Sequence, residues 1–370
     1  MTTSSSSDRK LRARIAMPAK SLLIRADASA EIGVGHAMRC LALAQAWRDK
    51  GGRVIFALGG GAEGIEERLC SESASVVRVC SESGSREDAR ETAQLCTESG
   101  ADWMILDGFH FSQSYRESVK TDATRLLLLD DHGACAPYKC DIVLNTNPYA
   151  VDAMYLEREE YTVFLLGPQY ALLRREFLAA PARSPDVSAT ARRVLITFGG
   201  GDPHNVTLRV VEALHEIHDV KLDITVVVGA SNPHRALLSA ALERSPHVAR
   251  LLFNVDNMPE VMTQAELAIS AGGGTCYELA IMQVPMFLIT IASNHERTVE
   301  AYGRAQAALT GGWFDELGPE SLAASLRSLI GDPMLRKELT ENARRMVDGR
   351  GAQRVVDAMC SIRMEERIKT

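Results

Sequence analysis

The chain has 370 residues, 46% of them hydrophobic and 24% charged, with a formal net charge of −7. That length accommodates two domains with separate cores, and the composition is that of an average globular protein. The acidic balance argues against a nucleic-acid partner, and no apolar run approaches the roughly 18–20 residues of a membrane-spanning helix. Residues 1–20, MTTSSSSDRKLRARIAMPAK, are Ser-rich and then basic, without the apolar core of a secretory signal, and read as a disordered leader. The cysteines, at positions 40, 70, 80, 96, 135, 140, 276 and 360, form no CxxC pair. A chain of this size needs no disulfide staples, so the thiols are expected to be reduced and the protein cytoplasmic. With no HExxH and no His/Cys ligand spacing, no metal site is expected.

The first element is the apolar run Leu22-Leu23-Ile24, short enough for a buried strand. A small polar turn, Asp27 to Glu31, leads to Gly33-Val34-Gly35-His36. Next, Met38, Leu41, Ala42, Gln45 and Ala46 recur at helical spacing. Strand, glycine turn and helix together present free backbone N–H groups to a ligand, although a lone GxG serves a tight turn equally well. His36 is the more telling residue. A helix N-terminus disfavours imidazolium, and a neutral imidazole can act as a base, which makes His36 the leading catalytic candidate. Gly33, Gly35 and Arg39 are binding candidates beside it. Asp27 or Asp131 is placed to orient the imidazole, or else to brace a loop.

Strands and helices then alternate. Residues 53–58, 75–79, 103–106, 125–129 and 141–144 read as strands, with Asp107, Asp130-Asp131 and Asn145 just past strand ends. Such alternation predicts a mostly parallel sheet with helices on both faces. The proline-containing residues 179–191 suit a linker between a first domain at 21–178 and a second at 192–350. The second half opens on a strand at 193–198 followed by Gly199-Gly200-Gly201-Asp202. Further strands are expected at 222–228, 248–253, 267–270 and 286–291, with a helix at 296–310. Residues 351–370 complete the chain as a helix that crosses back onto the first half or packs on a partner. The fold class is therefore α/β, two Rossmann-like domains with a cleft between them. Ligands bind there at the carboxyl ends of the strands, where the turns named above and Asn294 converge.

The turn Gly272-Gly273-Gly274-Thr275 opens a helix with Glu278 in its first turn. Its glycines let backbone N–H groups approach phosphate oxygens, and Thr275 can cap the helix or bond a phosphate. Glu278 can accept from a ribose diol or complete a capping box with Thr275. There is no Walker lysine and no clear GxGxxG, so a nucleotide-diphosphate sugar fits better than a nicotinamide cofactor.

The segments RADASAEIGVGHAMRCLALA, LLDDHGACAPYKCDIVLNTNPYA, GPQYALLRREF, ITFGGGDPHN and ISAGGGTCYELA resemble the UDP-sugar hydrolases of pseudaminic acid biosynthesis, in order from about residue 22 to 312. Their relatives are the two-domain GT-B glycosyltransferases, including the one that adds N-acetylglucosamine to the peptidoglycan lipid precursor. The resemblance implies a GT-B architecture. It also implies metal-independent, inverting water attack at the anomeric carbon of UDP-2,4-diacetamido-2,4,6-trideoxy-β-L-altropyranose, with no cofactor. It places the catalytic histidine on His36 and an asparagine near the substrate on Asn294. The nucleotide loop falls on Gly273, Gly274 and Thr275, with Glu278 as ribose acceptor. A tyrosine position of that family falls on Phe109, which lacks the hydroxyl, and the candidate substitutes are His110 or a water. The alternative activity is a GT-B glycosyltransferase using a UDP-sugar donor.

Overall fold

The apolar runs pair into two sheets whose strands are all parallel. A computed structural model describes residues 20–28, 33–59, 63–121, 123–181 and 187–362. The expected leader up to residue 19, part of the turn after Asp27, residues 182–186 of the linker and the last residues from 363 lie outside the described residues. The first sheet runs β3-β2-β1-β4-β5-β6-β7. Its strands are β1 (Ser21–Ala26), β2 (Arg53–Gly59), β3 (Ser75–Val79), β4 (Trp103–Asp107), β5 (Arg125–Leu129), β6 (Ile142–Asn145) and β7 (Val163–Leu166). The second runs β10-β9-β8-β11-β12-β13. It is built from β8 (Arg193–Thr197), β9 (Asp223–Val228), β10 (Val248–Phe253), β11 (Leu267–Ala271), β12 (Met286–Thr290) and β13 (Leu309–Trp313). Both sheets reverse strand order between their first and fourth strands, β1/β4 and β8/β11. Those switch points are where doubly wound sheets open a crevice for ligands.

Two strands depart from the sequence reading. Residues 309–313 form β13 rather than the end of a helix, because the preceding helix stops at Arg304 and Gln306 takes a positive φ of 49°. β7 went unpredicted. It is a partly exposed four-residue edge strand, too short for an alternation to show.

The central strands split their side chains between two layers, as a period of two requires. Leu22 and Ile24 of β1 pack with the helix Gly35–Asp49, whereas Leu23 faces the opposite layer with Met104 and Leu106. The Gly35–Asp49 helix is buried nearly all round, from Ala37 through Trp47 apart from Met38 and Arg39. Helices apolar on every side need covering on every side. The cover is the helix Gly351–Ser361, which inserts Ala352, Val355, Val356 and Met359 into the same core. It thus crosses back onto the first sheet. Gly351 begins it against backbone: a Cβ there would lie 2.1 Å from the Ala171 carbonyl oxygen. Gly351→Ala is therefore expected to cost about 1–3 kcal/mol in a chemical-denaturation or thermal melt, since the backbone must move to admit it. Gly331→Ala, where a Cβ meets open space, is the neutral control. No helix among the described residues is long and apolar enough to cross a membrane.

Candidate functional site

β1 and β4 are neighbours with Ala26 opposite Asp107, so the turn leaving β1 meets the carboxylate that ends β4. Gly33, at φ +78°, turns the chain toward the helix, and His36 is its second residue. His36 Nδ1 lies 2.6 Å from Asp107 Oδ1. The fully buried Asp107 also accepts from Arg39 Nε at 2.7 Å and Nη2 at 2.6 Å, a two-pronged pair. Arg39 Nη1 donates to Asp131 Oδ2 at 2.8 Å. Burial acts to raise the Asp107 pKa, but Arg39 and His36 outweigh it and hold the carboxyl below the usual range. Burial also opposes the Arg39 charge, yet Asp107 and Asp131 raise its pKa above the ordinary value. An ionised carboxylate only accepts, so His36 Nδ1 is the donor, which in the neutral ring leaves the lone pair on Nε2.

Asp107 therefore takes the orienting role that the sequence left to Asp27 or Asp131. Asp131 sits one link further out, through Arg39. Asp27 belongs elsewhere. Its Oδ1 accepts from Arg25 and from the Gly59 N–H, and His110 Nε2 lies 2.6 Å from its Oδ2. His110 thus has its Nε2 turned toward Asp27. Phe109 itself is 67% exposed and meets the His36 ring edge-on, with centroids 5.2 Å apart.

Across the cleft, His36, Gly35, Arg39, Phe109 and Asp131 share one cavity of about 370 Å³ with Gly272, Gly273, Gly274 and Asn294. Five pieces of the chain far apart in sequence converge there. Cys276 and Tyr277 turn their N–H groups back to the carbonyls of Gly273 and Gly274, the first such bonds of the helix Thr275–Ile281. The N–H groups before them are the ones a helix leaves without an internal partner. Asn294 is the second residue of the helix Ser293–Arg304, which also begins at the cavity.

Other candidates are placed differently. Asn145 is fully buried, donating to the Tyr155 hydroxyl at 2.8 Å and accepting from the Asn147 N–H at 2.9 Å. It braces the strand end, and Asn147 lines the cavity in its stead. Gly200 and Gly201 do not line the cavity; the Gly200 carbonyl accepts from Ser231. Thr275 does not cap its helix and makes no capping box with Glu278. Glu278 Oε1 instead accepts from Arg174 Nη2 at 2.9 Å. Burial raises the Glu278 pKa, with Arg174 opposing.

Sequence reading passed over His132, Tyr149, Tyr277, His295 and Thr298, which also line the cavity. Tyr277 reads as a helical core residue, yet its hydroxyl crosses the cleft to the Thr146 carbonyl at 2.9 Å. Arg297 lies over the Tyr149 ring at 4.0 Å, a second bridge between the halves. His295 follows Asn294 directly, so its position was the one signal available.

Among solved structures, that of Acinetobacter baumannii MurG superposes with a TM-score of 0.69 over 93% of this chain and 100% of that one, at 16% identity. The chain has the GT-B fold. Within it, residues 194–357 match the glycosyltransferase family 28 C-terminal domain, which places the Gly272–Gly274 turn and Asn294 inside the matched GT-B half. Relatives by sequence include the uncharacterized protein MJ1062 of Methanocaldococcus jannaschii, 26% identical over 72% of this chain and 55% of that protein. The chain therefore spans about half the length of that relative. The UDP-2,4-diacetamido-2,4,6-trideoxy-beta-L-altropyranose hydrolase of Campylobacter jejuni is 26% identical over 75% of this chain and 94% of its own. The pyrophosphoryl-undecaprenol N-acetylglucosamine transferase of Geobacter metallireducens is 27% identical over 56% and 58%.

Proposed function

We propose that this GT-B chain hydrolyses a UDP-linked sugar at its anomeric carbon, with His36 as the base. The observation that carries the reading is a carboxylate-held imidazole and a triple-glycine turn opening onto one cavity. The diphosphate lies at the Gly272–Gly274 turn, where backbone N–H groups stabilise the charge that grows on the leaving group. His36 Nε2 takes a proton from water as the water oxygen bonds to the anomeric carbon. The carbon–oxygen bond to the β-phosphate breaks, its electron pair leaves on the phosphate oxygen, and UDP departs. Asn294 positions the sugar, Glu278 accepts from the ribose, and Phe109 offers an apolar face beside the base. The relationship to the Campylobacter hydrolase supports a diacetamido-trideoxyhexose as that sugar, in a route to nonulosonic acids.

A second reading, transfer of the sugar to an acceptor other than water, has its own support. A further cavity of about 310 Å³ opens on the first domain's side of His36 and Phe109, lined also by Ser112, Gln113 and Arg116, and it has room for an acceptor. A panel of UDP-sugars incubated in ¹⁸O-water decides between them. Hydrolysis at carbon yields labelled sugar and unlabelled UDP. Label in the UDP would place the attack at phosphorus, and no UDP release until an acceptor is added would establish the transferase.

A further inference from the structure

The turn that leaves β6 belongs to the first domain but is held by the second. Pro148 sits at its second position and the Ala150 N–H donates to the Asn147 carbonyl at 3.1 Å, so residues 147–150 close as a stiff β-turn. Three side chains of the second domain converge on it. The Tyr277 hydroxyl donates to the Thr146 carbonyl at 2.9 Å, Thr298 Oγ1 stands 3.5 Å from Asn147 Oδ1, and Arg297 covers the Tyr149 ring. Tyr277 and Thr298 belong to the two helices that begin at the glycine turn and beside Asn294. On its other side the same turn grips Asp131 twice. Asn147 Nδ2 donates to Asp131 Oδ1 at 2.9 Å, and the Tyr149 hydroxyl donates to the Asp131 carbonyl at 3.0 Å. Asp131 Oδ2 takes Arg39 Nη1, Arg39 holds Asp107, and Asp107 holds His36.

Chemistry fixes which way the Asn147 amide points. An ionised Asp131 accepts only, so the N–H end faces it, with the second proton on Asn145 Oδ1 at 2.9 Å, and the carbonyl end faces the second domain. A tie that only joined the domains would end at Thr146 and Tyr149, whereas this one runs on to the imidazole. We propose that Asn147 is a positioning residue for the His36 base. Through Asp131, Arg39 and Asp107 it sets the imidazole relative to the domain that carries the Gly272–Gly274 turn. This rests on the hydrolytic reading given above and adds that the base is aligned from the half of the molecule opposite it. A base on one wall must reach a water aimed at a carbon held from the other, so the register of the two walls enters the rate directly.

The test measures kcat and KM with the UDP-sugar turned over in the panel above, and UDP affinity by calorimetry. The variants are Asn147→Ala, Tyr277→Phe and the two combined, with His36→Ala as reference. Misplacement by about 1 Å costs up to about a hundredfold, so Asn147→Ala should lower kcat by about tenfold to a hundredfold, with KM and UDP affinity little changed. Tyr277→Phe keeps the ring and should lower kcat in the same direction. Both cut one path, so the double variant should lose little more than Asn147→Ala alone. Full kcat in Asn147→Ala beside an inactive His36→Ala overturns the proposal and spares the hydrolytic reading. A loss confined to KM also overturns it, since Asn147 would then touch the substrate. Losses that multiply in the double variant overturn the coupling between the domains. If Asn147→Ala does not fold, Tyr277→Phe decides: reduced kcat at unchanged UDP affinity upholds the proposal, and undiminished kcat overturns it. Turnover retained in His36→Ala, or absent from the unaltered chain, removes the base and the proposal with it.

Discussion

Replacing His36 by alanine is expected to abolish UDP release, with kcat down by about a hundredfold to ten-thousandfold for loss of a general base. UDP affinity should stay nearly unchanged, since the diphosphate is held at the opposite wall of the cleft. Asp107→Asn is the sharper companion. It leaves a neutral amide on Nδ1, free to donate to it, so the lone pair moves off Nε2 and the base is lost although the ring remains. In a triad the same change costs about ten-thousandfold. Here it also strips Arg39 of its bidentate partner, so its fold must be verified by melting. Single-turnover kinetics paired with UDP titration is the measurement. Retained turnover in His36→Ala would remove the imidazole from the mechanism, whatever the affinity.

Sequence periodicity made the two-domain, parallel α/β architecture readable because parallel strands buried on both faces stand out as apolar runs. Leu22-Leu23-Ile24, 125–129 and 286–290 are of that kind. β7 and β13 escaped for the opposite reason: they are edge strands, short and half-exposed, and β13 carries two glycines. The position of His36 was legible from the glycine turn, but its partner was not. Asp27, Asp107 and Asp131 all follow strands, and only the adjacency of β1 and β4 selects Asp107. Asn145 and Asn147 show the same limit. Two residues apart at one strand end and joined side chain to side chain at 2.9 Å, they differ in burial because Asn145 also pairs with the buried Tyr155 hydroxyl whereas Asn147 reaches the cavity. Glu278 was read from its own helix alone, whereas its partner, Arg174, lies more than a hundred residues upstream.

The largest stability effect is expected at Arg25, a fully buried guanidinium under the β1 turn. It bonds Asp27 and, through Nε at 3.1 Å and Nη2 at 2.8 Å, the equally buried Asp88. Burial acts to raise both carboxyl pKa values, but for Asp27 the His110 and Arg25 contacts prevail, and for Asp88 chiefly Arg25 does, so both are lowered. Groups depressed on folding add stability above the unfolded aspartate value of about 3.9, and that share is lost as pH falls through the lower folded values. Arg25→Met removes the cation and leaves two buried carboxylates to pay for their own desolvation. The expected loss at pH 7 is about 3–5 kcal/mol, the range for breaking a buried ion pair from one side. Burial is then less opposed, above all at Asp88, whose value Arg25 chiefly lowered, so the carboxyl values rise and protonation relieves the variant. Its deficit should narrow as pH drops from 7 toward about 4.5, where the lifted groups begin to take up protons. Adding Asp88→Asn should recover part of the loss at neutral pH by removing one uncompensated charge. Urea melts at the two pH values settle it: an equal deficit at both would assign the loss to packing against Phe111, whose ring the guanidinium also covers at 5.1 Å. Because Asp27 ties β1 to Gly59 and His110, such a variant should also loosen the segment carrying Phe109, and raise KM before it lowers kcat.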